Sequence, residues 1–193
     1  VHRMVLGADG MGLFPAGVAD MDFRAPKPIL DALAQRLDHG VFGYETVPDD
    51  LFPALIAWVR ERHVWGLHPD HILRAPNVLN SISMAANLFA EPGDGIIVQP
   101  PVFFDFADII AENGRRMIEN PLVLSSGRYE LDFDGLETRT ADPRTKVLFL
   151  CNPHNPVGRV WTKTELVRLG AICRKNSVVV VSDEIHADIT FQD

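Results

Sequence analysis

The side chains best suited to chemistry are Asn155, Asp183 and His186. Asn155 lies between two prolines in Asn152–Pro153–His154–Asn155–Pro156–Val157–Gly158–Arg159. Proline fixes φ and pushes the residue before it out of the helical region, so this stretch is a rigid, ordered turn. An amide held there can donate a hydrogen bond in a fixed direction, although Asn and Pro are also ordinary turn formers. Asp183 offers a carboxylate that, when buried, holds a proton on a basic partner. Read alone, it is equally a helix N-cap or a surface carboxylate after a strand. Two further groups suit a ligand. The turn before Val78 and Leu79 opens a helix whose free N–H groups form an anion site, though many helix starts bind nothing. Phe103 supplies an aromatic face, unless it is core like its neighbours Phe104 and Phe106.

The elements that must position these groups follow from periodicity. Val147–Leu148–Phe149–Leu150–Cys151 is an unbroken apolar run, the signature of a strand buried on both faces. Val178–Val179–Val180–Val181 is a second such strand, ending at Ser182–Asp183. Between them Thr162–Lys163–Thr164–Glu165 has the capping-box pattern, and Leu166, Leu169, Ile172 and Cys173 recur at helical spacing. Strand, helix and strand of this length suit a right-handed parallel crossover. Asn155 and Asp183 then emerge at one edge of the sheet, where ligands sit in open α/β folds.

Upstream, Ile96–Val98 reads as a buried strand running into Gln99–Pro100–Pro101, with a helix to about Asn113 and a strand over Arg115–Asn120. Asp132–Thr140 reads as a short connecting helix, and Ile72–Leu73–Arg74 as a short strand before the helix Val78–Phe89. Pro28–Leu37 is an amphipathic helix with Ile29, Leu30, Leu33 and Leu37 on one face, stopped at Gly40. Asp49–His63 is another, whose Leu51, Leu55, Ile56, Trp58 and Val59 belong to core or subunit packing. Residues 1–26 form an irregular arm in which Asp20 and Asp22 flank Met21, as a carboxylate pair or a solvated turn.

The 193 residues suffice for one domain with a core. A hydrophobic content of 47% and a charged content of 23% are those of a globular protein. The net charge of −8 argues against nucleic acid as a partner. No run approaches the roughly 20 apolar residues of a membrane span. No basic, apolar, small-residue pattern opens the sequence. Cys151 and Cys173 read as buried thiols in a reducing compartment, and the expected location is cytoplasmic. His63, His68 and His71 lack an acidic or thiol companion at ligand spacing and read as surface histidines, so no metal is expected.

Four segments together carry a resemblance. They are Cys151–Asn152–Pro153–His154–Asn155–Pro156–Val157–Gly158–Arg159, Ser182–Asp183–Glu184–Ile185–His186–Ala187–Asp188, Val18–Ala19–Asp20–Met21–Asp22–Phe23 and Phe42–Gly43–Tyr44. They resemble the fold-type-I pyridoxal 5'-phosphate (PLP) enzymes, and among these most of all the cystathionine β-lyase-type carbon–sulfur lyases with an aminotransferase fold. The resemblance runs over essentially the whole chain. It implies an α/β fold, a three-layer aminotransferase-like large domain with a mainly parallel sheet, incomplete at its C-terminus. Residues 1–48 would be the N-terminal arm and first helix, and residues 49–193 a partial PLP-binding large domain.

The resemblance also assigns roles. Backbone amides of Val78 and Leu79 would hold the cofactor phosphate, with Asn77 where the family often has Gly or Ser. Phe103 would stack on the pyridine ring, where the family usually has Tyr. Asp183 would partner the pyridine nitrogen, Asn155 would donate to the ring 3'-oxygen, and His186 would lie near that oxygen. Tyr44 would reach the phosphate in a neighbouring subunit, implying a homodimer with shared active sites. The lysines are Lys27, Lys146, Lys163 and Lys175, and none follows a strand end beyond Asp183. The Schiff-base lysine is therefore expected beyond Asp193, no catalytic residue is assigned within this chain, and the chain alone is expected to be inactive. The implied reaction of the intact protein is β-elimination from a cysteine-type amino acid such as cystathionine, giving a thiol, pyruvate and ammonia. The alternatives are an aminotransferase on the same scaffold and, in another class, a non-catalytic fragment or PLP-binding regulatory protein. A nicotinamide dehydrogenase is disfavoured, since no strand runs into Gly-x-Gly-x-x-Gly.

Overall fold

The computed structural model describes residues 23–44 and 46–191. Asp20, Asp22 and the rest of the segment before Phe23 lie outside the described residues. The chain divides into two units, Val1–Pro48 and Asp49–Asp193. In the first, helix α1 (Lys27–His39) starts with Pro28 in its first turn and ends at Gly40, whose φ of 69° is left-handed. Glycine enters that region without the steric cost a Cβ brings. Ile29, Leu33 and Leu37 all stay exposed, and the Arg36 guanidinium sits 5.3 Å over the Phe42 ring.

The second unit opens with α2 (Leu51–His63), closed by a left-handed Val64. A 3-10 turn follows at Pro69–His71. The strand expected at Ile72–Arg74 is not formed. Ile72 closes the turn by donating to the Pro69 carbonyl at 3.0 Å, and Leu73 is exposed. Apolar residues in extended backbone make a strand only where another strand supplies the ladder, and among the described residues no strand pairs with this segment. Helix α3 (Val78–Phe89) is capped by Asn77, whose Oδ1 accepts from the Asn80 N–H at 2.8 Å.

The remaining elements are β1 (Gly95–Val98), α4 (Asp105–Glu112), β2 (Arg116–Glu119), β3 (Val123–Ser125), β4 (Arg128–Glu130), α5 (Phe133–Thr140), β5 (Thr145–Cys151), α6 (Lys163–Lys175) and β6 (Val179–Asp183). Strands β2, β1, β5 and β6 lie side by side in that order, and each adjacent pair is parallel. Strands β3 and β4 form a separate antiparallel hairpin.

The sheet separates two apolar clusters. Alternation along β5 sends Val147 and Phe149 to one face and Leu148 and Leu150 to the other. The first face packs on α3 and α4 through Ile82, Ala86, Phe106 and Ile110. The second packs on α5 and α6 through Leu136, Leu169, Ile172 and Cys173. The result is three layers, helix, sheet and helix. Thr162 and Glu165 start α6 with the reciprocal capping box that their spacing predicts. No helix among the described residues is long and apolar enough to cross a membrane.

Phe149 is 1% exposed and meets Phe106 edge-on at 5.4 Å. Phe149→Ala is expected to lower unfolding free energy by about 3–5 kcal/mol, and Thr162→Ala by about 1 kcal/mol. Urea unfolding followed by circular dichroism checks the order and size of the two losses.

Candidate functional site

Strands β5 and β6 end together, with Cys151 opposite Asp183. The Asn152 N–H donates to the Asp183 carbonyl at 2.9 Å and closes the ladder. The Asp183 side chain is buried, 6% exposed, and its Oδ1 accepts from the Ile185 N–H at 3.1 Å. No cation pairs with it among the described residues. Past Asp183 the chain turns, with Ala187 donating to Glu184 and Ile189 to His186, both at 2.9 Å. The turn is held from outside by Asp188, whose carboxylate accepts from Trp58 Nε1 at 3.2 Å and pairs with His63 Nε2 at 2.9 Å. His63 is thus a partner of Asp188 as well as a surface histidine.

A cavity of about 400 Å³ runs from this carboxylate to the start of α3. Val78, Ser81 and Ile82 line one side, and Val181, Asp183 and Ile185 the other. The first bond along α3 runs from Ser81 N–H to Asn77 O, and the Asn77 side chain takes the Asn80 N–H. The N–H groups of Val78 and Leu79 remain at the positive end of the helix dipole. The Leu79 side chain lines a separate concavity of about 390 Å³ beside α4.

Phe103 packs half-buried on the same apolar cluster as Val78 and Val181. Its ring lies 5.2 Å from Phe104 and 5.9 Å from Phe106. Phe106 is core and Phe104 faces solvent, so the three phenylalanines divide by environment. Among the residues expected at the site, Val78 and Asp183 meet at one cavity. Asn155 sits in the neighbouring loop, and His186 is half-buried three residues beyond Asp183. Tyr44 belongs to the first unit and is fully exposed.

The loop after β5 is tightly closed. His154 N–H donates to Arg159 O at 2.7 Å, and Gly158 N–H to His154 O at 2.8 Å. The Asn155 N–H donates to Cys151 Sγ at 3.3 Å. Trp161 seals the loop from below, donating from Nε1 to Cys151 O and from its backbone to Asn152 Oδ1, each at 3.1 Å. Arg159 lies 4.7 Å over the Trp161 ring and pairs with Glu165. Burial opposes ionisation of Glu165, but hydrogen bonds from Thr162 and the Arg159 charge hold its carboxyl below the usual range. A roomier concavity of about 610 Å³ lies on the α5–α6 side, where Arg159 is paired with Glu165 and Arg168 lies 3.9 Å from Asp134. Among the described residues no group of His, Cys, Asp or Glu is arranged to hold a metal.

The family model for aminotransferase class I and II matches residues 17–193. The chain belongs to this family. It is 47% identical over 175 residues to cystathionine beta-lyase PatB of Bacillus subtilis strain 168, covering 91% of this chain and 45% of that protein. Among solved structures it is similar to a PLP-bound putative aminotransferase of Clostridium difficile 630, with a TM-score of 0.92 and 39% identity over 99% of this chain and 49% of the other. It is also similar to cystalysin of Treponema denticola, a protein described as containing pyridoxal 5'-phosphate, with a TM-score of 0.89 and 34% identity over 100% of this chain and 52% of the other. The chain spans about half the length of the curated relatives it matches. The fold is the aminotransferase-type α/β large domain, in part.

Gln99 and His154 are buried polar residues that carry no role in the sequence reading. Gln99, directly after β1, is fully buried, and neither of its side-chain polar atoms is bonded among the described residues. His154 is 1% exposed, with no partner for Nδ1 among the described residues. Only its place between two Asn-Pro pairs marked it in the sequence. Burial holds the His154 pKa below its ordinary 6.5, and burial likewise pushes the Cys151 thiol up and that of Cys173 up to about 11.

A histidine depressed in the folded state adds stability above its unfolded pKa and loses it as pH falls toward the folded value. The unfolded chain takes a proton near pH 6.5 that the folded chain refuses. Between about pH 7.5 and 5.5 the urea midpoint is expected to fall less in His154→Gln than in the parent. Parallel urea titrations at the two pH values measure the difference.

Proposed function

We propose that the full-length protein is a cytoplasmic PLP-dependent carbon–sulfur β-lyase that eliminates a thiol from a cysteine-type amino acid such as cystathionine. The observation that carries the reading is the cavity joining the start of α3 to the buried Asp183 carboxylate. A phosphate suits the two N–H groups at Val78 and Leu79. A buried carboxylate without a paired cation suits a protonated ring nitrogen, since each charge offsets the desolvation of the other. Phe103, on the same face, offers an apolar ring to lie against a planar heterocycle.

When bound, the cofactor supplies an electron sink for the charge that develops at the substrate α-carbon. The chain's own groups bind and orient. Asp183 keeps the proton on the ring nitrogen. The Asn155 amide, fixed by its neighbouring prolines, and the His186 imidazole are the candidates for the ring oxygen. Phe103 and the apolar cluster beneath it exclude water from one ring face. PatB at 47% identity supports the lyase reading, and the two free, buried cysteines suit a reducing compartment. The Clostridium difficile relative described as a putative aminotransferase favours a second reading, transamination on the same scaffold.

Full-length protein given L-cystathionine is expected to release pyruvate without added keto acid. Turnover that requires a keto acid would replace the lyase with the aminotransferase. Asp183→Asn is expected to lower the rate on the order of 100-fold or more while far-UV circular dichroism is unchanged. A rate within a few-fold of the parent would remove Asp183 from the mechanism.

The Phe42–Gly43–Tyr44 segment and the full exposure of Tyr44 support a homodimer in which this tyrosine completes a neighbour's phosphate site. Sedimentation velocity of the full-length holoenzyme is expected to give a dimer. An active species sedimenting as a monomer would contradict shared sites.

A further inference from the structure

The loop after β5 and the loop after β1 are joined through one side chain. His154 Nε2 lies 3.0 Å from the carbonyl oxygen of Pro101. A carbonyl can only accept, so the neutral ring must carry its proton on Nε2 and donate it there. The ring plane is fixed by edge-on packing against Trp161, with centroids 5.4 Å apart at 82°. The backbone is fixed as well, since the His154 N–H and carbonyl both close the loop. At 1% exposure the ring is shielded from bulk solvent.

The two ends of this bond matter. Pro101 stands two residues before Phe103, and Asn155 follows His154 directly. The bond therefore spans between the residue that would face the cofactor ring and the residue that would meet its oxygen. A histidine serving only as core filler would be a poor choice. Among the described residues its buried Nδ1 has no hydrogen-bond partner, a cost that an apolar ring of similar shape avoids.

We infer that His154 is a positioning residue for the cofactor, its Nε2–H···O bond to Pro101 holding the Phe103 loop and the Asn155 loop at the separation the ring requires. The inference rests on the PLP reading above. It assigns His154 no contact with the cofactor and no proton transfer.

The test uses cofactor-free full-length protein titrated with PLP. The readouts are the dissociation constant and the visible circular dichroism of the bound cofactor. His154→Phe keeps a ring against Trp161 and removes the donor. His154→Gln keeps an N–H at about the reach of Nε2. The Phe variant is expected to bind PLP about tenfold or more weakly, the effect of one ordered hydrogen bond, with a diminished visible signal. The Gln variant is expected to stay within about threefold of the parent. A Phe variant with a smaller loss and an unchanged signal overturns the inference, and so does a Gln variant as impaired as Phe. If the Phe variant does not fold, as judged by far-UV circular dichroism, His154→Met takes its place under the same criteria. A parent protein that binds no PLP overturns the proposed function instead, so the two failures are distinguishable.

Discussion

In a parallel ladder both strands leave the sheet at the same edge, and between β5 and β6 that edge falls at Cys151 and Asp183. The site depends on this pairing. A shift of one residue would turn Asp183 to the other face, because strand side chains alternate with period two. The register is protected by the apolar residues behind it. Val147 and Phe149 fill the α3–α4 side while Leu148 and Leu150 fill the α5–α6 side, and a slip would exchange them. The Asn152 N–H bonded to the Asp183 carbonyl is the last rung, and there the Asn-Pro loop begins.

Much of this was legible because it rests on local rules. Unbroken apolar runs marked β5 and β6, and the Thr162–Glu165 spacing marked the start of α6. Parallel pairing followed from the length of the crossover. Ile72–Arg74 misled because a strand is a relation between two segments, and the pair Ile72 and Leu73 does not reveal that no second strand lies beside it among the described residues. The bonds from Trp58 and His63 to Asp188 were illegible for the same reason, since more than a hundred residues separate the partners. The His154 contact with Pro101 joins two loops whose approach is set by β1 and β5 lying side by side.

The amphipathic helices divide in the same way. Their periodicity was readable, but the partner of each apolar stripe was not. In α3 the stripe is Ile82 and Ala86, and the sheet buries both. Helices α1 and α2 bury no residue, although Leu33, Leu37, Leu51 and Trp58 are spaced as a buried face would be. Periodicity reports that a helix has an apolar side; it does not report what lies against it.

The division of the core by the sheet bears on how such a protein can change over generations. Val78, Phe103 and the cavity beside Asp183 belong to the α3–α4 side, while α5, α6 and the β3–β4 hairpin stand behind the sheet. Lineages can therefore vary the rear layer for thermal tolerance or solubility while the front layer keeps its chemistry. Trp161 is where that freedom narrows. It is packed with the rear cluster, yet its ring abuts His154 and its indole N–H holds the end of β5. Substitutions behind the sheet that move this indole would be felt in front of it, so inherited variation should be thinner around Trp161 than elsewhere in the rear layer.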